Sequence, residues 1–183
     1  MDGTLFHLGV DWKALKTELV DLGANGTTLN EMVDSLIAKK QQRALQMIKL
    51  RELAGVQSGR PVEDAGVVLN ELMRNGVKIA IVSRNFRDTI KSALDKIGVS
   101  TIEIIGREDT VRAKPDQEGL LLALKKLEVG REDACMVGDT YHDIEMAKSV
   151  GVESIVLRNP HLRSVPSGAG KYLNKLKELT ALA

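Results

Sequence analysis

The chain of 183 residues predicts an α/β fold, a mostly parallel sheet with helices on both faces, joined to a block that is helical throughout. Three observations carry this. Apolar residues recur at helical spacing from residue 10 to 58. Beyond Pro61 the pattern alternates between amphipathic helices and short β-prone runs that read as strands covered on both faces. Glycines close the helical stretches, as at Gly98 and Gly151. Sheets of this kind take ligands beyond the carboxyl ends of their strands, so chemistry is expected there.

In chain order, Trp12, Leu15, Leu19 and Leu22 line a first helix that Gly23 ends. Thr28 and Glu31 form a capping box, a hydroxyl and a carboxylate three residues apart that satisfy free N–H groups. Leu29, Met32, Val33, Leu36 and Ile37 then share an apolar face. Lys39 to Arg43 is polar, a bend or a solvated face, and the helical pattern continues to Leu53. Pro61 suits the first turn of a helix that stops near Asn75-Gly76. A strand is expected over Val77–Val82, a helix over Asn85–Ile97 and a strand over Thr101–Ile105. Pro115 opens a helix to Leu127, and Cys135–Val137 lies in a strand ending at Gly138-Asp139. A short helix holds Ile144, Ala147 and Val150, and a strand spans Glu153–Leu157. Asn159 to Gly170 is turn-rich, and Tyr172–Leu182 reads as a last amphipathic helix.

The length suits one domain, or a core with a small insert. The net charge of +1 gives no electrostatic case for nucleic acid or a membrane surface as partner. No apolar run approaches the roughly 18 residues that span a bilayer. The one cysteine, Cys135, sits in an apolar run and reads as a buried small hydrophobe. One thiol makes no internal disulfide, which fits a cytoplasmic location. Aromatics are only 3% of the chain, so Leu, Ile, Val and Met must fill the core.

Four short motifs fall at predicted strand ends, where ligands are expected. They are Asp2-Gly3-Thr4, Ser83, Lys114-Pro115, and Gly138-Asp139 followed by Asp143. Asp139 at a strand end and Asp143 one helical turn later can share a face toward one ion. Mg²⁺ prefers carboxylates plus water to a closed protein cage. Lys114 supplies a point charge and Ser83 a neutral hydrogen bond. Each has a plainer reading. Ser83 alone is as readily a helix cap, an isolated Lys-Pro carries no information, and an acid in a helix's first turn favours the dipole. His142 reads as a solvated turn residue and is not assigned as a base, while His7 and His161 show no partner spacing. Arg84, Asn85, Arg107 and Arg112 lie near strand ends and are candidates for substrate contact.

Taken in this order, the motifs resemble those of the haloacid dehalogenase-like hydrolases, over nearly the whole chain. The resemblance implies a Rossmann-like core of residues 1–9 and 60–183 with a helical cap of residues 10–59 that closes over the site. It implies that Asp2 is the general acid/base, with its backbone carbonyl on the metal. It also implies that Ser83 and Lys114 hold the phosphoryl oxygens, and that Asp139 and Asp143 bind Mg²⁺. The nearest subgroup resembles phosphoglycolate phosphatases, through the small helical cap and the Gly-Asp-Thr form of the last motif. The expected activity is a Mg²⁺-dependent phosphatase acting on a small phosphorylated metabolite through an aspartyl-phosphate. Dehalogenase or phosphotransferase chemistry on the same fold is a further possibility.

In that family's signature the attacking Asp stands two residues ahead of Asp2, just before Met1. The strand that would carry it, central in the sheet, is therefore expected to be largely missing. Its two neighbours would be left with unpaired backbone groups, each costing about 1–3 kcal/mol when buried. The natural chain is accordingly expected to start upstream of Met1. A chain complete as written would instead be a non-catalytic phosphate- and Mg²⁺-binding or regulatory module.

Overall fold

Helices and parallel strands alternate as expected, but the sheet is divided. A computed structural model describes residues 1–159 and 164–182. The first part runs β1 (Phe6–His7), α1 (Trp12–Asp21), α2 (Leu29–Asp34), α3 (Ala38–Ser58) and β2 (Arg60–Pro61). It continues with α4 (Ala65–Arg74), β3 (Ala80–Val82), α5 (Arg87–Ile97), β4 (Glu103–Ile105) and α6 (Glu118–Leu127). The last part holds β5 (Cys135–Gly138), α7 (Tyr141–Val150), β6 (Glu153–Leu157) and β7 (Lys171–Leu173).

Strands β3 and β4 pair in parallel, and β5, β6 and β7 form a second parallel block. No strand is hydrogen-bonded between the two blocks among the described residues. This is the gap expected at the centre of the sheet. Packing holds the seam instead. Met1, Phe6, Ile81, Ile104, Ile155 and Leu157 belong to one buried cluster, closed outside by Val68, Ile90, Leu94 and Leu176. A third, smaller cluster of Leu120, Met136, Met146 and Val150 lies between α6, α7 and β5.

Helices α1, α2 and α3 build a cluster of their own from Leu15, Leu19, Met32, Leu36, Ala44 and Ile48. Thr28 and Glu31 make the expected capping box on α2. Its three donors hold the Glu31 carboxyl at about 2. Phe86, from the segment between β3 and α5, completes this cluster. Lys39 to Arg43 is the solvated start of an unbroken α3.

Several boundaries differ from expectation, each for a local reason. The Val77 amide closes α4 by donating to the Leu72 carbonyl, so the strand begins only at Ala80. Pro61 lies in β2, antiparallel to β1, where a missing N–H is tolerated at an edge. Helix α5 begins at Arg87 because Phe86 before it is extended, with ψ 147°, its amide held by Glu52. Helix α6 begins at Glu118, whose amide donates to Asp116. The segment expected as a last helix divides into β7 and a 3₁₀ stretch, Leu176–Ala181, which buries Leu176 and Leu179 at the three-residue period. Cys135 is exposed, not buried, at the open start of β5. His161, with part of the turn-rich stretch, lies outside the described residues. No described helix is long and apolar enough to cross a membrane.

Ile48 is fully buried among the three helices. Ile48→Ala is expected to cost about 2–5 kcal/mol by lost burial and a residual cavity, read as a lower urea midpoint at unchanged slope. An unchanged midpoint would show that this cluster carries no folding energy.

Candidate active site

The motif residues come from four separate segments, and the fold brings their polar ends to the seam. Asp139 follows the last residue of β5 and is buried. Its Oδ1 accepts from Thr4 Oγ1 at 3.1 Å and its Oδ2 from Asn159 Nδ2 at 2.8 Å. Gly3 has φ +81°, and a β-carbon there would collide with the Asp139 carboxylate. Only glycine combines that left-handed backbone with that close approach. The Asp-Gly-Thr run thus places its backbone against the acid that ends β5.

Asp143 lies in the first turn of α7. Its Oδ2 accepts from the Thr140 amide at 3.0 Å and the Thr140 hydroxyl at 2.7 Å. Its Oδ1 pairs with Lys114 Nζ at 2.8 Å, and the side chains are only 7% and 12% exposed. Burial alone would push the Asp143 carboxyl up. The Lys114 charge and the hydrogen bonds from Lys114 and Thr140 outweigh burial and hold it well below the usual range. Gly138 leaves the room Asp143 needs, since a β-carbon there would run into the Asp143 carboxyl.

Asp2 points differently. Its Oδ1 accepts from the Leu8 amide at 2.9 Å. Burial pushes its carboxyl up against that bond. The Met1 amino group is itself buried and pushed down by that burial, then by Lys114; Asp143, Asp139 and Asp2 pull it back up. Asp2, Asp139, Asp143 and Lys114 thus all lie within electrostatic reach of that nitrogen. Among the described residues no set of three His, Cys, Asp or Glu side chains is clustered as a ready metal cage. Asp2, Asp139 and Asp143 share a neighbourhood but do not converge as a three-carboxylate ligand set.

Ser83 follows β3, and its amide donates to the Ile105 carbonyl of β4. Ser83 Oγ donates to Asn85 Oδ1 at 2.8 Å and accepts from the Asn85 amide at 3.1 Å. The side chains of Ser83 and Asn85 are thus engaged with each other. Ser83, Arg84, Arg107, Arg112 and Lys114 wall one narrow crevice between the tips of β3 and β4 and the loop before α6.

Several residues here were not foreseen. Glu52 of α3 is 2% exposed, and its carboxylate accepts from the Phe86 amide at 3.0 Å. Burial pushes its carboxyl up. The signal was present in the sequence, because Glu52 falls on the apolar stripe of Ala44, Ile48 and Val56. Asn159 and the Thr4 contact had no such signal, since both act across the fold. His142 is half-buried in α7 rather than in a solvated turn, and its Nδ1 has no hydrogen-bond partner.

Comparisons with known proteins agree with this geometry. The family model described as haloacid dehalogenase-like hydrolase matches residues 17–157. A pyrophosphatase PpaX of Listeria monocytogenes is 39% identical over 83 residues, 44% of this chain and 38% of that protein. The matched stretch spans less than half the length of such curated relatives. A hydrolase from Pseudomonas syringae superposes with TM-score 0.82 at 18% identity, covering 98% of this chain and 93% of that one. A protein from Haemophilus somnus named as a predicted phosphoglycolate phosphatase gives TM-score 0.76 at 15% identity, covering 100% and 94%. The structural likenesses establish the shared fold.

Asp143 is held below its unfolded value, so its contribution is present above about pH 4 and fades as pH falls further. Asp143→Asn is expected to flatten the acid limb of the stability profile. It should also cost about 3–5 kcal/mol at neutral pH, because it leaves Lys114 buried and unpaired. Denaturant unfolding at pH 3 and pH 7 checks this, and equal losses at both would remove the pair as the cause. Gly3→Ala should lose at least about 1–2 kcal/mol from its backbone alone.

Proposed function

Since the chain belongs to the haloacid dehalogenase-like hydrolases, we propose that it serves as a Mg²⁺-dependent phosphatase for a small phosphorylated metabolite of the phosphoglycolate kind. The observation that carries this is Lys114. Its ammonium belongs both to the carboxylate seam, through Asp143, and to the crevice wall that Ser83 shares. A phosphoryl group placed there meets a cation and a hydroxyl on one side and the acids on the other. Phosphoryl transfer needs this arrangement, because catalysis is mostly positioning and charge stabilisation. The names of the relatives, a pyrophosphatase and a phosphoglycolate phosphatase, support a small phosphorylated substrate.

Lys114 neutralises equatorial oxygens, and Ser83 turns its hydroxyl from Asn85 to one of them. Asn85 flanks that oxygen, and Arg84 is a further substrate contact in the crevice wall. Asp2, whose burial makes it hold a proton more tightly than usual, protonates the leaving oxygen and later takes a proton from water. Asp139, Asp143 and the Asp2 carbonyl are the groups that would hold Mg²⁺. They fit it in donor chemistry, because all are oxygen ligands of the kind a hard cation takes, and Asp139 and Asp143 are buried together at the tip of β5 and the start of α7. When bound, Mg²⁺ supplies charge neutralisation for phosphoryl oxygens. The attacking carboxylate of the family signature stands two residues ahead of Asp2. Residues 10–59 act as the cap over a core of residues 1–9 and 60–183. The separate cluster of α1 to α3 and its contacts with Phe86 support that division.

The test is a phosphate-release assay on a polypeptide extended upstream to supply that Asp. It would use phosphoglycolate and inorganic diphosphate, with Mg²⁺ and with chelator. Turnover is expected with Mg²⁺ only. Lys114→Ala and Asp139→Asn should each lower kcat by about 10²–10³-fold, the scale for removing one transition-state stabiliser. A folded protein with no turnover on a broad panel of phosphomonoesters would refute the reading.

A further inference from the structure

The crevice beside Ser83 carries more positive charge than one phosphoryl group requires. Every charged side chain in its wall is cationic: Arg84, Arg107, Arg112 and Lys114. Lys114 is answered by Asp143 and Arg112 by Asp116. Arg84 and Arg107 make no ion pair among the described residues. Yet both are half-buried and close enough to repel each other. Two like charges drawn partly out of water with no directly paired carboxylate are costly to hold.

Arg107 is also fixed in place. Its Nη1 donates to Asn30 Oδ1 of α2 at 2.9 Å, and its guanidinium lies 5.6 Å from the centre of the Phe86 ring. Its Nε is buried with no hydrogen-bond partner. The one buried carboxylate within electrostatic reach, Glu52, is engaged by the Phe86 amide. A guanidinium held by one edge and left unsatisfied at another is ready for a ligand oxygen. Guanidinium forks match phosphoryl oxygens in pairs.

We infer that Arg84 and Arg107 form a second anion subsite beside Ser83 and Lys114, one that takes a further phosphoryl group of the substrate. The favoured substrates are then diphosphates or bisphosphates. Two guanidinium forks without ion-pair partners can each engage oxygens of a dianionic phosphoryl group, for which a single carboxylate offers too few. This rests on the phosphoryl site proposed above. It deepens that reading by naming what the rest of the substrate carries.

The test is titration calorimetry on the chain itself at fixed ionic strength, with three ligands that are not turned over during the measurement. They are inorganic phosphate, methylenediphosphonate and a sugar bisphosphate held without Mg²⁺. At least one of the two doubly charged ligands is expected to bind about tenfold or more tightly than phosphate, a difference of about 1.4 kcal/mol. Which one does so tells whether the two groups are directly linked or carried on a scaffold. In Arg84→Gln and in Arg107→Gln the preference should fall to within about threefold. Arg107→Gln also loses the Asn30 bond, so its fold is checked by circular dichroism. Arg84→Gln touches no such contact and decides the matter if the other misfolds. No preference in the parent chain, or a preference that survives Arg84→Gln, overturns the subsite. Lys114→Ala separates the two claims. If it leaves phosphate binding intact, the phosphoryl site above is wrong, while the Arg84→Gln ratio still judges the second subsite.

Discussion

A cluster of carboxylates held at the seam of a divided sheet is the constraint that the surrounding structure answers. Asp139 and Asp143 are buried a few residues apart, and like charges out of water repel. The fold answers each one differently. Asp139 receives two neutral donors, Thr4 and Asn159, from opposite ends of the chain. Asp143 receives an ammonium and a cap hydroxyl. The Lys114 bond crosses the line where β3 and β5 share no backbone hydrogen bonds, and the Thr4 bond ties the first residues to the tip of β5. Polar contacts at the tips therefore tie together blocks that, below them, are joined by side-chain packing through Met1, Ile81 and Ile155.

The three-helix unit is tied to this site by the same physics. Glu52 would be a costly passenger on the apolar stripe of α3 if it had no partner. It reaches the Phe86 amide instead, and Phe86 fills the helical cluster. Arg107 holds Asn30 from the other side. One buried acid and one ring thus join the helices to the segment that also carries Ser83, and one guanidinium joins them to the segment after β4. These contacts end at the tips of β3 and β4, where the proposed phosphoryl and second anion subsites meet.

Local elements were legible where a short-range rule decides them. The capping box at Thr28 and Glu31 and the glycine stops at Gly98 and Gly151 are satisfied by neighbours within a few residues. The misjudged boundaries turn on particular bonds that periodicity does not show, most of them local and one, at Phe86, made across the fold. The amides of Val77 and Phe86 were taken by a helix end and by a distant carboxylate, which shortened the elements expected there. The final segment could become a strand only because β6 offered an open edge for Tyr172 to pair with. Cys135 is apolar in its sequence context yet exposed, because burial depends on what covers a strand's end.

By itself the sequence determined the α/β class, the helical block of residues 10 to 58, and the residue types at four strand ends. Periodicity, caps and motif order are properties of neighbours along the chain, and they survive without a fold. Only the tertiary structure decided which groups face one another. It set Thr4 and Asn159 on Asp139, Lys114 on Asp143, and Arg84 beside Arg107 in one crevice. Those pairings join residues tens of positions apart. Their partners are chosen by burial and charge in three dimensions, which no one-dimensional spacing records.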